Sequence, residues 1–223
     1  MIVIQQPKHG QMLDARDSDF PSKLELLNGG KAITENTVTS YGYVLAGRAE
    51  VEADGLSFSG HAGTFFCIPG EFELKTDGLV ALIYRLGYRG QLTAGRVESA
   101  GRLSYLNGCS STILVPPPKL GDPVLNHLHI PNGIDQAQHK HPSIRLGMVI
   151  RGEGLARGSD PSGSTGWTEP LKKGCVFLLR AGELHGFSTI GTPGLDLVTY
   201  HPDSDWGPTD ENHPMLTATV FES

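Results

Sequence analysis

G-I-D-Q-A-Q-H-K-H (residues 133–141) and G-C-V-F-L-L-R-A-G-E-L-H (residues 174–185) are the two pieces of the stretch around which this chain is organised. The first piece places His139 and His141 on either side of Lys140, and the second ends on His185. Side chains two positions apart project from the same face of a strand, so the first two imidazoles are expected to point the same way. A third imidazole can arrive from a neighbouring strand, and the three could then hold one metal ion with coordination positions left open, which is typical of a reactive site. The alternative is three unrelated histidines, two exposed on a strand and one in a turn.

Composition and charge narrow the class of protein. The formal net charge of −6 argues against a nucleic-acid partner, because phosphate binding needs a concentrated basic face. The longest apolar runs, such as Leu79–Ile83, are far shorter than the roughly 20 residues of a membrane span, so no membrane partner is expected. The three widely spaced cysteines predict no disulfide framework, and the N-terminus lacks the pattern of a signal peptide. A cytoplasmic location is the simplest expectation.

The secondary-structure pattern is that of an all-β protein. Alternation in Arg48–Val51 and Leu56–Phe58, with Asp-Gly between them, predicts strands joined by a tight turn. No stretch shows a long 3.6-residue periodicity. Residues 88–124 are rich in Gly, Ser and Pro and contain P-P-P at 116–118, which predicts a linker or crossover.

The two halves of the chain resemble each other. Y-V-L-A-G-R-A (43–49) matches M-V-I-R-G-E-G (148–154), and G-T-F-F-C-I-P-G (63–70) matches G-C-V-F-L-L-R-A (174–181). This spacing indicates an internal duplication of a β unit. In the first copy the three histidine positions are occupied by Thr34, Asn36 and Leu74. The first copy is therefore expected to be a scaffold or an interface domain and the second to carry the site.

These residues resemble the cupin superfamily, and the repeat makes the chain similar to a bicupin. In the cupin first motif, G(X)5HXH(X)3–4E(X)6G, the chain departs at the glutamate, where Arg145 stands. In the second motif, G(X)5PXG(X)2H(X)3N, Arg180 replaces the proline and Thr189 replaces the asparagine. The positions that match the two motifs are Gly133, His139, His141, Gly152, Gly174, Gly182 and His185.

The resemblance implies two tandem jelly-roll β-barrels, of which the N-terminal one is degenerate. The predicted domains are residues 1–100, a cupin-like barrel without metal ligands; 101–124, a linker; and 125–223, a metal-binding barrel with a C-terminal tail. It also implies one divalent metal ion bound by His139, His141 and His185. A three-His set without the glutamate is known among iron-dependent cupin dioxygenases, so Fe(II) is favoured, with Zn, Mn and Ni as alternatives.

Several further side chains are candidates for the site. Arg145 presents a planar fork suited to an anionic substrate, or else it pairs with an acid at the rim such as Glu153 or Glu183. His127 and His129 form a second H-X-H pair that could serve as acid–base groups opposite the metal or line a dimer interface. Arg180 is a further candidate for holding the anion, whereas Phe177 and Tyr200, on predicted strands, are either core residues or walls of the substrate pocket.

The tail from His201 to His213 has two interpretations. It is either a lid over the barrel mouth, with Trp206 as an apolar wall, or a solvated segment packed on the other domain.

Three functions are consistent with these features. The favoured one is a three-His non-haem iron dioxygenase acting on a small anionic organic substrate. The second is a metal-dependent isomerase, epimerase or lyase acting on a sugar or small acid, and the third is a non-enzymatic small-molecule-binding bicupin. A homodimer is one assembly that the sequence allows, because exposed strand edges pair readily.

Overall fold

The computed structural model describes residues 1–218, and strands dominate it. The N-terminal strands are β1 (Ile2–Ile4), β2 (Met12–Ala15), β3 (Ser22–Ile33), β4 (Val38–Val44), β5 (Arg48–Ala53), β6 (Leu56–His61), β7 (Thr64–Pro69), β8 (Glu73–Leu86) and β9 (Thr93–Arg96). The C-terminal strands are β10 (Leu103–Ser104), β11 (Ser110–Val115), β12 (Val124–Pro131), β13 (Arg145–Ser159), β14 (Gly166–Lys172), β15 (Val176–Leu179), β16 (Leu184–Ser188) and β17 (Gly194–His201).

Helical structure is confined to two short pieces of the described chain. A 3₁₀ turn spans Leu106–Gly108, and a helix, α1, spans Pro214–Thr217. No helix within residues 1–218 has the length and apolarity that a membrane crossing requires.

The strands form two antiparallel sheets, each built mainly from one half of the chain. The eight-stranded sheet contains β2 to β9, and the nine-stranded sheet contains β10 to β17 together with β1. In the first sheet, β5 alternates between exposed and buried residues, as predicted. The turn that follows it places Asp54 and Gly55 at φ values of 48° and 77°, which is the left-handed geometry of a tight hairpin.

Local geometry repeats between the halves at the positions that the sequence repeat predicts. Gly47 and Gly152 both have φ +72°, and each carbonyl accepts a backbone hydrogen bond at 3.0 Å, from Ala62 and Lys173 respectively. The next pair repeats as well: Gly63 and Gly174 donate to the carbonyls of Val44 and Val149 at 2.9 and 2.8 Å. The two halves therefore share individual turn hydrogen bonds at these positions.

The core consists of three hydrophobic clusters. One fills the inside of the N-terminal half around Phe66 and Leu74, and one lies inside the C-terminal half around Phe177 and Leu197. The third lies between the two sheets and includes Tyr41 and Tyr200, whose ring centroids are 4.9 Å apart. The two halves thus share a buried middle layer.

The structure differs from the predicted domain boundaries in two places. Residues 101–124 are not a free linker, because β11 pairs along its length with β12 and β10 pairs with β11. The segment after β11, which begins with the three prolines, has the expected irregular form. Strand β1 also departs from the predicted 1–100 unit, because it pairs with β15 of the other sheet.

Candidate metal centre

His139 and His185 are held opposite each other by their own backbones. The N–H of each donates to the carbonyl of the other at 2.8 Å, which forms an isolated antiparallel bridge. His185 lies on β16, whereas His139 and His141 lie in the segment between β12 and β13. The strand expected for the H-K-H stretch is therefore reduced to this one bridge, which still brings His139 and His141 to the side of His185.

The three imidazoles converge closely enough to share one ion. Ring centroids are 4.6 Å apart for His139 and His185, 5.0 Å for His139 and His141, and 5.2 Å for His141 and His185. Their potential ligand atoms all lie within 4.8 Å of one another. Across residues 1–218, this is the one group of three or more histidine, cysteine or carboxylate side chains that is so arranged.

Hydrogen bonds and burial favour metal binding by these rings. The Nδ1 atoms of His139 and His185 lie 3.0 Å from the carbonyls of Ala137 and Glu183, which only accept, so each Nδ1 carries the proton and each Nε2 keeps a free lone pair. Burial, with a contribution from the Arg145 charge, lowers the pKa of His141 to about 2 and that of His185 to about 4. Neutral imidazoles with free lone pairs fit a divalent ion.

The triad faces a small inner cavity that opens towards a larger one. The inner cavity holds about 50 Å³, and the outer cavity, which we call the vestibule, holds about 460 Å³. Side chains shared by the two are Tyr105, Asn126, His141, Arg145 and His201. The C-terminal tail contributes Asp205 and Trp206 to the vestibule wall, a position that the lid interpretation requires.

Arg145 is the charged residue at the junction of these cavities. It is only 2% exposed, and its Nη1 donates to the Ser143 carbonyl, the Ser143 hydroxyl and the Ile144 carbonyl at 3.2, 2.8 and 2.8 Å. No carboxylate among the described residues forms an ion pair with it. Burial lowers its pKa to about 10, and the nearby carboxylates of Asp205 and Asp203 act against that shift. The guanidinium therefore remains charged at neutral pH with capacity for an anion.

Comparison with known structures identifies the architecture. A cupin 2 conserved barrel domain protein from Leptotrichia buccalis superposes with a TM-score of 0.63 at 18% sequence identity, over 89% of this chain and 95% of that one. The chain has the cupin fold. No protein-family model matches the sequence, and no curated protein matches it.

Two cupin enzymes are also among the similar structures. Bacillus subtilis oxalate decarboxylase, described with Mn(II) centres, gives a TM-score of 0.59 at 13% identity over 92% of this chain and 76% of that one. A single-residue mutant of salicylate 1,2-dioxygenase from Pseudoaminobacter salicylatoxidans gives 0.61 at 12% identity over 85% and 76%. At these identities the likeness concerns the fold.

Alternation along β12 places the second H-X-H pair away from the triad. Asn126 and Leu128 line the inner cavity, so the intervening His127 and the following His129 face the layer between the sheets. There both rings contact Asp196 Oδ1, at 2.7 and 3.0 Å. The predicted acid–base role of His127 and His129 is thus corrected: they bind a carboxylate on the opposite face of the strand.

Of the three other predicted substrate contacts, the structure places one at the inner cavity and two away from it. Phe177 is fully buried and lines the inner cavity. Tyr200 is fully buried in the middle layer, and Arg180 is exposed, so neither borders the triad. Glu183, offered as an alternative partner for Arg145, instead accepts from the Arg180 N–H at 2.6 Å.

The sequence interpretation missed the side chains that complete the cavity, chiefly His201, Asn126 and Tyr105. His201 was assigned to the tail, but it ends β17 and its ring centroid is 6.0 Å from that of His141. The sequence does contain an indication of this position, because the two-residue period of a strand puts residue 201 on the face of β17 opposite to residue 200. No pattern in the sequence marked Tyr105, which follows the two-residue strand β10.

Proposed function

We propose that this protein is a metal-dependent enzyme of the cupin fold, specifically a three-His non-haem iron dioxygenase acting on a small organic anion. The observation that carries the proposal is the convergence of three imidazoles beside the buried guanidinium of Arg145, which forms no ion pair with a carboxylate of the described residues. A purely structural metal site needs no such cation, and the fold needs no buried cation without a counter-ion.

The chemistry of each side chain indicates its proposed role. His139, His141 and His185 would hold the ion and leave coordination positions open, and an Fe(II) ion would supply the one-electron chemistry that reactions with O₂ require. Arg145 binds the anionic group of the substrate, and the bonds from its Nη1 to the backbone hold it in place. Phe177 and Leu128 exclude water from the inner cavity.

A second candidate is redox-neutral chemistry on a small acid, with the ion acting as a Lewis acid. The fold similarity to the Mn(II)-containing oxalate decarboxylase favours it. In that case Mn or Zn would replace iron, and Arg145 would keep the same task. A non-enzymatic binding protein is the third candidate and predicts ligand binding without turnover.

We also infer that the chain is a bicupin of two jelly-roll barrels. The repeated turn hydrogen bonds and the separate interior clusters of the two halves support this arrangement. In the N-terminal half Leu74, which occupies the position of His185, is fully buried in the apolar cluster, so that half serves as scaffold. A cytoplasmic setting is supported by three buried free cysteines.

Metal analysis followed by oxygen-consumption measurements tests the proposal. Protein purified without chelator should contain close to one iron per chain and should consume O₂ with members of a panel of carboxylate, thiol and diketone substrates. His185→Ala should lose the metal and keep the fold, whereas His129→Ala, on the other face, should keep both. Turnover without O₂ consumption would shift the assignment to the second candidate, and absence of any effect of Fe, Mn, Ni or Zn to the third.

A further inference from the structure

Two buried polar atoms at this site have no partner. Within residues 1–218, the Nδ1 of His201 and the Nε of Arg145 are both shielded from solvent and form no hydrogen bond. Both side chains line the inner cavity and the vestibule. Buried polar groups are satisfied in the great majority of cases, so an unsatisfied pair beside a cavity indicates a ligand that would satisfy them.

A hydrogen-bond chain fixes which nitrogen of His201 carries the proton. This series of hydrogen bonds starts at the carbonyl of His127, which only accepts. The Ser111 hydroxyl therefore donates its single proton there, at 2.9 Å. Ser111 Oγ must then accept from Asn126 Nδ2, at 3.2 Å. This leaves Asn126 Oδ1 to accept from His201 Nε2, at 2.9 Å. Since a neutral imidazole has one N–H, Nδ1 of His201 is left as an acceptor.

The unsatisfied atom of Arg145 has the opposite polarity. Nε–H is a donor, and the guanidinium is charged, so it requires an acceptor and favours an anionic one. The bonds of Nη1 to Ser143 and Ile144 hold the group from one side only. The side chains that line the cavity therefore include a cationic donor and a neutral acceptor.

The two groups are neighbours on adjacent strands. In the antiparallel pairing of β13 with β17, Leu146 stands opposite Tyr200, so the next positions outward are Arg145 and His201. Both project from the inner face, towards His141 and the other ligands. Cross-strand neighbours have Cβ atoms about 5 Å apart, so one small molecule with polar groups on adjacent carbons can contact both side chains.

From this we infer that His201 is a specificity-determining residue whose Nδ1 accepts a hydrogen bond from the substrate. The ligand class is a carboxylate that bears an O–H or N–H donor on the neighbouring carbon, with the carboxylate on Arg145 and the donor on His201. The vestibule adds the rings of Tyr105 and Trp206, which suit an apolar or aromatic body. The inference rests on the proposed function only for the location of the site.

The tautomer of His201 provides a test that needs neither iron nor turnover. A long-range ¹H–¹⁵N spectrum of the full-length Zn²⁺-loaded protein should show His201 protonated at Nε2 and unprotonated at Nδ1. Ser111→Ala frees the Asn126 amide and should give a mixture of tautomers. Thr112→Val, which removes a hydroxyl from the neighbouring position of β11, should leave the tautomer unchanged. An Nδ1–H tautomer in the wild-type protein would overturn the inference.

Binding of two matched acids tests the specificity. Calorimetric titration of Zn²⁺-loaded protein should show mandelate binding about tenfold more tightly than its O-methyl ether, because only mandelate donates a hydrogen bond. His201→Phe should reduce the ratio to about twofold or less. A ratio that survives in His201→Phe, or no binding of either acid, counts against this ligand class. Metal content and O₂ consumption are measured separately, so failure of the dioxygenase proposal can be distinguished from failure of this inference.

Discussion

At the scale of single residues, burial sets the properties of this site. Desolvation keeps the imidazoles of His141 and His185 neutral, which suits metal ligation, and the same desolvation opposes the charge of Arg145. A buried guanidinium without a carboxylate partner costs stability, so its presence is better explained by ligand binding than by folding. The effect of burial on the arginine and its effect on the histidines can be tested separately.

Arg145→Met should weaken substrate binding while preserving the fold. Loss of a charge-assisted hydrogen bond is expected to raise KM for an anionic substrate by roughly 10- to 100-fold, which corresponds to about 1.5–3 kcal/mol. Thermal stability should be unchanged or higher, because an unpaired buried charge is removed. Steady-state kinetics and calorimetry measure both effects, with the exposed Arg180→Met as control. An unchanged KM would remove the docking role.

The stability of the metal-free protein should fall in mild acid. In the folded state the pKa of His185 is about 4, below the value of about 6.5 in an unfolded chain, and that of His141 is lower still. Between these values the unfolded chain takes up protons that the folded protein does not, so the free energy of unfolding decreases as pH falls below about 6.5. Above that pH these two groups contribute no slope.

Urea denaturation at about pH 7.5 and about pH 5 measures this dependence. His185→Leu, which copies the residue at the equivalent position of the N-terminal half, should have a shallower pH dependence. Equal slopes in the two proteins would show that His185 is not buried in the neutral form.

At the scale of elements, β13 organises the C-terminal half. This 15-residue strand pairs with β14, β15, β16 and β17, and it begins at Arg145. Such crowding requires small residues where strands approach closely. A Cβ on Gly152 would lie 2.0 Å from the Gly194 carbonyl oxygen, and one on Gly147 would lie 2.2 Å from the ring of Phe177.

Gly152→Ala should therefore be much more destabilising than Gly133→Ala. Both glycines have positive φ, +72° and +80°, so both substitutions incur a backbone cost of about 1 kcal/mol. Only at Gly152 does the new methyl group meet backbone, which should bring the total to about 3 kcal/mol. Urea unfolding of the two variants measures the difference. Similar losses would mean that β13 and β17 can separate at this point.

At the scale of the whole molecule, the middle layer joins the two halves into one folding unit. Tyr200 is fully buried there, its ring lies against Tyr41, and its hydroxyl is 3.5 Å from the Ser22 hydroxyl. Strand β1 adds a second link, because it belongs to the first half in sequence and to the second in pairing. Neither half can unfold without exposing the apolar face of the other.

Tyr200→Ala should destabilise both halves together, by about 3–5 kcal/mol. Both tryptophans, Trp167 and Trp206, lie in the C-terminal half, so their fluorescence reports on that half while far-UV circular dichroism reports on both. The two signals should give one coincident urea transition in the wild-type protein and should shift together in the variant. Tyr200→Phe, which keeps the ring, should cost about 1 kcal/mol or less. Two separate transitions would contradict a shared core.

The sequence by itself determined the features that depend on local spacing. The three histidines of the candidate metal site are predicted by motifs that resemble those of cupins. Strand alternation, the Asp54–Gly55 turn and the glycine-bounded repeat follow from the order of residues along the chain. Each is a matter of period or of turn conformation, which neighbouring residues decide.

The tertiary structure alone decided which face of each strand looks into the cavity. A period of two shows that His127 and His129 share a face, but not that the face is the middle layer, nor that Asn126 and His201 take the inner one. That choice depends on what packs against the sheet, here the N-terminal half through Tyr41 and Tyr200. The burial of Arg145 and the pairing of β1 and β11 have the same origin, because contacts between residues distant in sequence set them.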